Sequence, residues 1–99
     1  MAHVVVWSPR ALDDVDAIAV YIAVDSEAYA ASVVRTILDK ARGLSEFPYI
    51  GRTVPEFGDE AIREVFAYSY RIIYEIDGNE ITIAAVIHGK RLLELAIKP

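Results

Sequence analysis

Arg63 to His88 reads REVFAYSYRIIYEIDGNEITIAAVIH. Two β-branched and aromatic runs flank Asp77-Gly78-Asn79, the strongest local signal for a β-hairpin closed by a primed turn. Side chains alternate with period two, so the register is set once the turn is placed. It predicts Tyr70, Ile72, Tyr74 and Ile76 on one face with Ile81, Ile83, Ala85 and Ile87. That face is bulky and apolar and needs a cover. The other face would carry Arg71, Ile73 and Glu75 with Thr82, Ala84, Val86 and His88, so that a guanidinium and an imidazole stand together on a shallow floor open to a ligand. In the plainer reading Arg71 pairs with Glu75 or with solvent and His88 caps the strand end.

The rest of the chain supplies the cover. His3 to Trp7 is a short first strand. Ser8-Pro9 starts a helix, with Ser8 as N-cap and Pro9 at the first helical position. Leu12, Val15, Ile18 or Ala19, and Ile22 follow at helical spacing, and Asp13, Asp14 and Asp16 lie in the first turns, exposed and favoured by the helix dipole rather than gathered as a metal site. A second cap at Asp25-Ser26 opens a helix with Ala30, Val33 or Val34, Ile37, Ala41 and Leu44 as its apolar stripe. The two form a helical hairpin suited to the greasy side of the sheet. Pro48 stops the second helix.

Pro48 to Glu60, with Gly51, Pro55 and Gly58, is the one real loop, and Glu56 is the carboxylate on it best placed to reach the sheet. Ile62 to Ala67 is a further strand, turning at Tyr68-Ser69 into the hairpin. Tyr70 and Tyr74 are expected in the core with their hydroxyls at its edge. Beyond His88, Gly89-Lys90-Arg91 ends the strand, and Leu92 to Ile97 is a short helix or an extended tail. The fold class is α+β: an N-terminal strand, a helical hairpin, then a three-stranded antiparallel meander, all within one domain over residues 1–99.

Composition narrows the function. Hydrophobic residues make up 55% and charged residues 25% of 99, which is a globular balance for a single modest core. Without cysteine there is no disulfide and no thiolate metal site. No signal peptide or membrane span is readable, which leaves the cytoplasm as the expected location. Ten Lys and Arg against fifteen Asp and Glu give a net charge of −5, which disfavours non-specific nucleic-acid binding. The charge is uneven. Up to Tyr29, Arg10 stands alone against Asp13, Asp14, Asp16, Asp25 and Glu27, whereas Val34 to Arg52 carries Arg35, Lys40, Arg42 and Arg52 against Asp39 and Glu46.

Trp7-Ser8-Pro9 with Ala11, Tyr21-Ile22, Leu44 with Pro48 and Gly51, Arg63, Tyr70-Arg71-Ile72-Ile73-Tyr74, and Val86-Ile87-His88 with Arg91 occur in an order that resembles the RelE/ParE superfamily of toxins from bacterial type II toxin–antitoxin modules. The likeness covers nearly the whole chain and leans to the ParE, plasmid-stabilisation branch. It implies a cytoplasmic growth-inhibiting toxin held inactive by a cognate antitoxin, in a toxin–antitoxin hetero-oligomer or as a homodimer, with no cofactor and no metal. It implies one of two targets. RelE-type members enter the ribosome and cut messenger RNA, and ParE-type members poison DNA gyrase. Fold alone does not choose.

Metal-free RNA cleavage requires a base, a cation at the phosphorus and an acid for the leaving oxygen. Here those roles would fall to Glu56, Arg71 and His88. The acidic composition, the lack of a lysine cluster on the loop or central strands, and the Gly-Lys-Arg that follows His88 weigh against a nuclease. The favoured reading is therefore a binding toxin directed at gyrase, with Arg63, Arg71, His88, Lys90 and Arg91 as target or antitoxin contacts. The alternatives are a ribosome-dependent endoribonuclease and an antitoxin-binding module without toxicity.

Overall fold

The computed structural model describes residues 2–89; the predicted C-terminal helix or tail, with Lys90 and Arg91, lies outside them. Strand β1 (Val4–Trp7) leads into helices α1 (Pro9–Ala23) and α2 (Glu27–Gly43), followed by β2 (Arg52–Thr53), β3 (Ile62–Ala67), β4 (Tyr70–Asp77) and β5 (Glu80–His88). The strands form one five-stranded sheet in the order β1-β5-β4-β3-β2. The expected meander is β3-β4-β5. Two edges are added to it: β1, which pairs parallel to β5, and the short β2, formed inside the predicted loop.

Local chemistry accounts for the helices. Ser8 Oγ accepts the Ala11 N–H, with proline next in the chain, and Ser26 Oγ accepts the Tyr29 N–H. Each cap satisfies one of the donors a helix start leaves over. In α2 the charges follow the dipole, with Glu27 in the first turn and Lys40 and Arg42 in the last. The first turn of α1 holds no carboxylate; Asp13 and Asp16 are exposed, as expected, whereas Asp14 is partly sheltered. Ala11, Val15 and Ile22 of α1, with Ala30, Val33, Ile37, Ala41 and Leu44 at and beyond α2, are buried against Ile72, Tyr74, Ile81, Ile83 and Val86 of the sheet. Leu12, expected in the stripe, is half exposed.

The hairpin closes through Gly78-Asn79, since Asp77 pairs with Glu80. Gly78 takes a φ of 59° and Asn79 does not share the left-handed region, the pattern of a type II′ turn. From that turn the predicted register holds through Ile76 opposite Ile81 and Tyr74 opposite Ile83, and then it breaks. Ile73 pairs with Ala85, so Ala84 is an extra residue on β5, a β-bulge.

The bulge reverses every side chain after it. Val86 and His88, expected on the thin face, stand across from Ile72 and Tyr70 on the helix side, while Ala85 and Ile87, expected under the helices, pack with Ile73 on the far side. Period-two counting fails here because two residues of one strand oppose one of the other. The groups displaced by the bulge are taken up by α1 and its cap. Ser8 Oγ donates to the Ala84 carbonyl at 3.1 Å, and Asp14 Oδ2 accepts the Val86 N–H at 2.9 Å. Asp14, held also by Arg10 Nε at 2.9 Å, is a structural acceptor rather than one of three solvated carboxylates.

Asp14→Ala should therefore lower stability by about 1–3 kcal/mol, the cost of leaving a sheltered N–H without its acceptor. Asp14→Asn, which keeps a side-chain oxygen, should recover most of it. Urea midpoints at unchanged m-value would measure both.

Candidate functional site

The sheet face away from the helices is not open. Val54, in the segment after β2, is fully buried and packs on Ile73, Ala85 and Ile87, with Ile62 partly covering the group. The segment is compact: the Phe57 and Gly58 N–H groups both donate to the Val54 carbonyl, and Gly58 turns the chain at a φ of 63°. This folded-back segment places Glu56 over β4.

Beneath it lies a network of alternating charge. Arg71 Nη1 and Nη2 each donate to one oxygen of Glu56 at 2.8 Å, a forked bidentate pair, and Arg71 Nε donates to Glu64 Oε1 at 2.6 Å. Arg52 Nε donates to the other oxygen of Glu64 at 2.6 Å. Side-chain exposure falls from 60% at Arg52 and 25% at Glu56 to 6% at Arg71 and 0% at Glu64, so the centre of the network is dry. The bonds to Glu56, and after them those to Glu64, hold the Arg71 guanidinium more firmly protonated than usual against the opposing effect of burial. Arg52 also lies over Phe66, 5.3 Å from the ring centroid.

The expectation for Arg71 is thus half right. It stands on the face away from the helices and Ile72 faces them, but Arg71 is roofed by Glu56 and pinned by Glu64, not presented on a bare floor and not paired with Glu75. Glu64 was missed. The signal was available, because a two-residue turn at Tyr68-Ser69 pairs Ala67 with Tyr70 and so brings Glu64 to the face that carries Arg71.

His88 is elsewhere. It is exposed, at the end of β5 on the helix side, with its ring edge-on to Tyr70 at 5.8 Å and 78°. Glu56 and Arg71 are brought together, and His88 projects from the opposite face of the sheet. Arg63 is engaged within the chain. It bonds the backbone carbonyls of Glu60 and Gly51, each at 2.9 Å, and lies 4.9 Å from the Tyr49 ring centroid. It ties the edge of the sheet to the chain that leaves α2.

Tyr74 completes that tie. Its buried hydroxyl donates to the Pro48 carbonyl at 2.7 Å and accepts the Gly51 N–H at 3.1 Å. Burial raises its pKa, against the lowering effects of the Gly51 N–H and Arg63, so it stays a neutral donor. The closeness explains the glycine: a Cβ on Gly51 would fall 2.5 Å from the Glu64 carbonyl oxygen and 2.6 Å from the tyrosine hydroxyl. Tyr70, expected in the core, is only partly buried and packs at its rim.

The model of a protein family described as the ParE toxin of the type II toxin–antitoxin system parDE matches residues 5–93. This chain belongs to the ParE toxin family. Solved structures agree at the level of the fold. A chain from the chromosomal ParDE toxin–antitoxin system of P. aeruginosa superposes with a TM-score of 0.72 at 20% identity, over 88% of this chain and 96% of that one. An E. coli RelE toxin mutant in the free state gives 0.65 at 18% identity, over 91% and 86%. A chain of the RelBE2 toxin–antitoxin complex of Mycobacterium tuberculosis gives 0.61 at 20%, over 89% and 99%. A search of curated protein sequences found no match. The ParE-family chain is thus a type II toxin with the RelE/ParE fold, and among its described residues no helix is long and apolar enough to cross a membrane.

Proposed function

We propose that this ParE-family toxin acts in the cytoplasm by binding DNA gyrase and blocking it, and that a cognate antitoxin holds it silent in a hetero-oligomer. The observation that carries the reading against a nuclease is the state of Arg71. Its Nε and both terminal nitrogens are turned to Glu64 and Glu56, and the imidazole proposed as acid is across the sheet. A phosphoryl group approaching Arg71 would have to displace Glu56 from a bidentate pair. We assign the cationic contact to the target to exposed His88 with Lys90 and Arg91, which follow it in the chain. Arg63 and Arg71 serve the fold.

A ribosome-dependent endoribonuclease is the second reading, favoured by one observation, the 2.8 Å approach of the Glu56 carboxylate to Arg71. Induced expression without the antitoxin should arrest growth. Purified toxin with gyrase and relaxed plasmid should suppress supercoiling, while primer extension on a translation extract should show no new messenger ends. New codon-spaced ends with unaffected gyrase would replace the first reading by the second. No growth arrest at all would leave an antitoxin-binding module without toxicity.

A further inference from the structure

Strand β2 covers the outer edge of β3 only at Arg63 and Glu64, which leaves the rest of that edge uncovered. Between the edge and the last turns of α2 lies a cleft of about 540 Å³, lined by Lys40 and Gly43 of the helix, Ile50 and Arg52 at the entry to β2, and Val65 and Phe66 of β3. Its size is that of a small-ligand site. Ile50 and Phe66 are exposed there, so the cleft offers an apolar floor.

The charges around the cleft do not cancel at its mouth. Two carboxylates stand in the walls, and both are already bonded. Asp39 Oδ1 accepts from Arg42 Nη1 at 2.7 Å, and the buried Glu64 accepts from Arg71 and Arg52 at 2.6 Å each. Two cations keep donors to spare. Lys40 is exposed and has no acidic partner among the described residues. Arg52 gives only Nε to Glu64, and its two terminal nitrogens make no hydrogen bond among the described residues. Glu64 on one side and the Phe66 ring under its plane hold this guanidinium in place, so the free edge is oriented in advance of any ligand. Lys40 and Arg52 belong to the basic stretch from Val34 to Arg52, which the folding of the chain otherwise leaves without a task.

Two cations over an apolar floor take an anion that carries an apolar body. A phosphate suits them better than a carboxylate, because its oxygens point to several sides and can meet both Arg52 and Lys40, whereas a planar carboxylate is filled by the arginine fork alone. A flat nucleobase beside that phosphate would rest on Ile50 and on the Arg52-Phe66 stack, the pairing of cation and aromatic that single strands use. The net charge of −5 does not oppose a local contact of this kind, since distant charges are screened beyond about 8 Å at physiological ionic strength.

We propose that this cleft is a nucleotide site, with the phosphate between Lys40 and Arg52 and the base on Ile50 and Phe66. It is independent of whether gyrase or the ribosome is the toxin's target, because either works on a nucleic-acid strand. It involves neither His88 nor the outer surface of the helical hairpin.

The test titrates full-length toxin with thymidine 5′-monophosphate and with a thymidylate octamer, against thymidine, inorganic phosphate and a blocked leucine–glutamate peptide, following the amide signals of Gly43 and Gly51 by NMR. The phosphorylated thymidines should bind about tenfold tighter than thymidine or phosphate alone, the equivalent of one charge-assisted hydrogen bond. An octamer that binds tighter than the mononucleotide identifies the source as a strand, and equal affinities identify it as a free nucleotide. Lys40→Glu and Arg52→Lys should each lose about tenfold by the same reasoning. Arg35→Gln, outside the cleft, should lose nothing. Arg52→Lys keeps a charge beside Glu64 and removes only the fork; should circular dichroism show it unfolded, the exposed Lys40→Glu carries the test alone. No binding of either nucleotide, thymidine or phosphate binding as well as the monophosphate, or an unaffected Lys40→Glu variant would overturn the proposal. Tighter binding of the acidic peptide than of the octamer would also overturn it, and would make the cleft a protein contact instead.

Discussion

Arg71→Ala is expected to cost about 3–5 kcal/mol of folding stability, the range for removing one member of a buried ion cluster. The reason lies less in the bonds lost than in what is left behind. Glu64 is fully buried, and without Arg71 its only cationic partner among the described residues is Arg52, whose side chain is 60% exposed. Glu56 would lose its two bonds to Arg71, and the cover over Ile73, Ala85 and Ile87 would loosen. Since a domain of this size is stable by about 5–15 kcal/mol in all, the variant should sit near the edge of folding at growth temperature. Replacing the buried pair together, as Arg71→Met with Glu64→Leu, should recover much of the loss, because no charge is then stranded in a dry place. Chemical denaturation of the two variants decides it. A single variant as stable as wild type would mean that water reaches Glu64. Loss of toxicity in Arg71→Ala would not by itself mark Arg71 as a contact or catalytic residue, so the double variant is the informative one in a growth assay.

Tyr74→Ala is the second large effect, expected at about 3–5 kcal/mol as for other buried aromatic truncations. The ring is wholly buried among both helices' core partners, and its hydroxyl joins Pro48 and Gly51 to the sheet. Tyr74→Phe separates the two contributions. It keeps the ring and should cost only about 1–2 kcal/mol, for a buried N–H and a carbonyl deprived of a shared partner. Thermal melts should rank wild type above Tyr74→Phe and both well above Tyr74→Ala. Hydrogen exchange should show the phenylalanine variant releasing the Gly51 amide first, because that segment is held to the sheet by Tyr74 and Arg63 together.

The elements that could be read from the chain are those whose causes are local. Ser8-Pro9 and Ser26 cap helices by bonds that span three residues, and Gly78-Asn79 closes a hairpin through its own backbone freedom; α2 ends at Gly43, a turn ahead of the expected stop at Pro48. The family resemblance was carried by the same short fragments, and the matched span confirms it. Glu56 and Arg71 could be brought together in advance because the loop between α2 and β3 has few other places to fold. What defeated the reading was the strand's far half. Nothing in Ile83-Ala84-Ala85-Val86 distinguishes a bulge from straight alternation.

From sequence alone, then, come the order of elements, the hairpin and its turn, the two caps, the superfamily and the separation of a thick from a thin side of the sheet near the turn. Only the tertiary structure decided where His88 points, because the bulge at Ala84 is stabilised by Ser8 and Asp14, residues some seventy positions earlier whose approach depends on β1 pairing in parallel with β5. It also decided that Arg71 is covered rather than offered. That outcome rests on Glu64 and Glu56 converging on one guanidinium: the first could be counted from the β3-β4 turn and the second from the loop, but that together they bury and occupy Arg71 depends on how the loop folds back over the sheet.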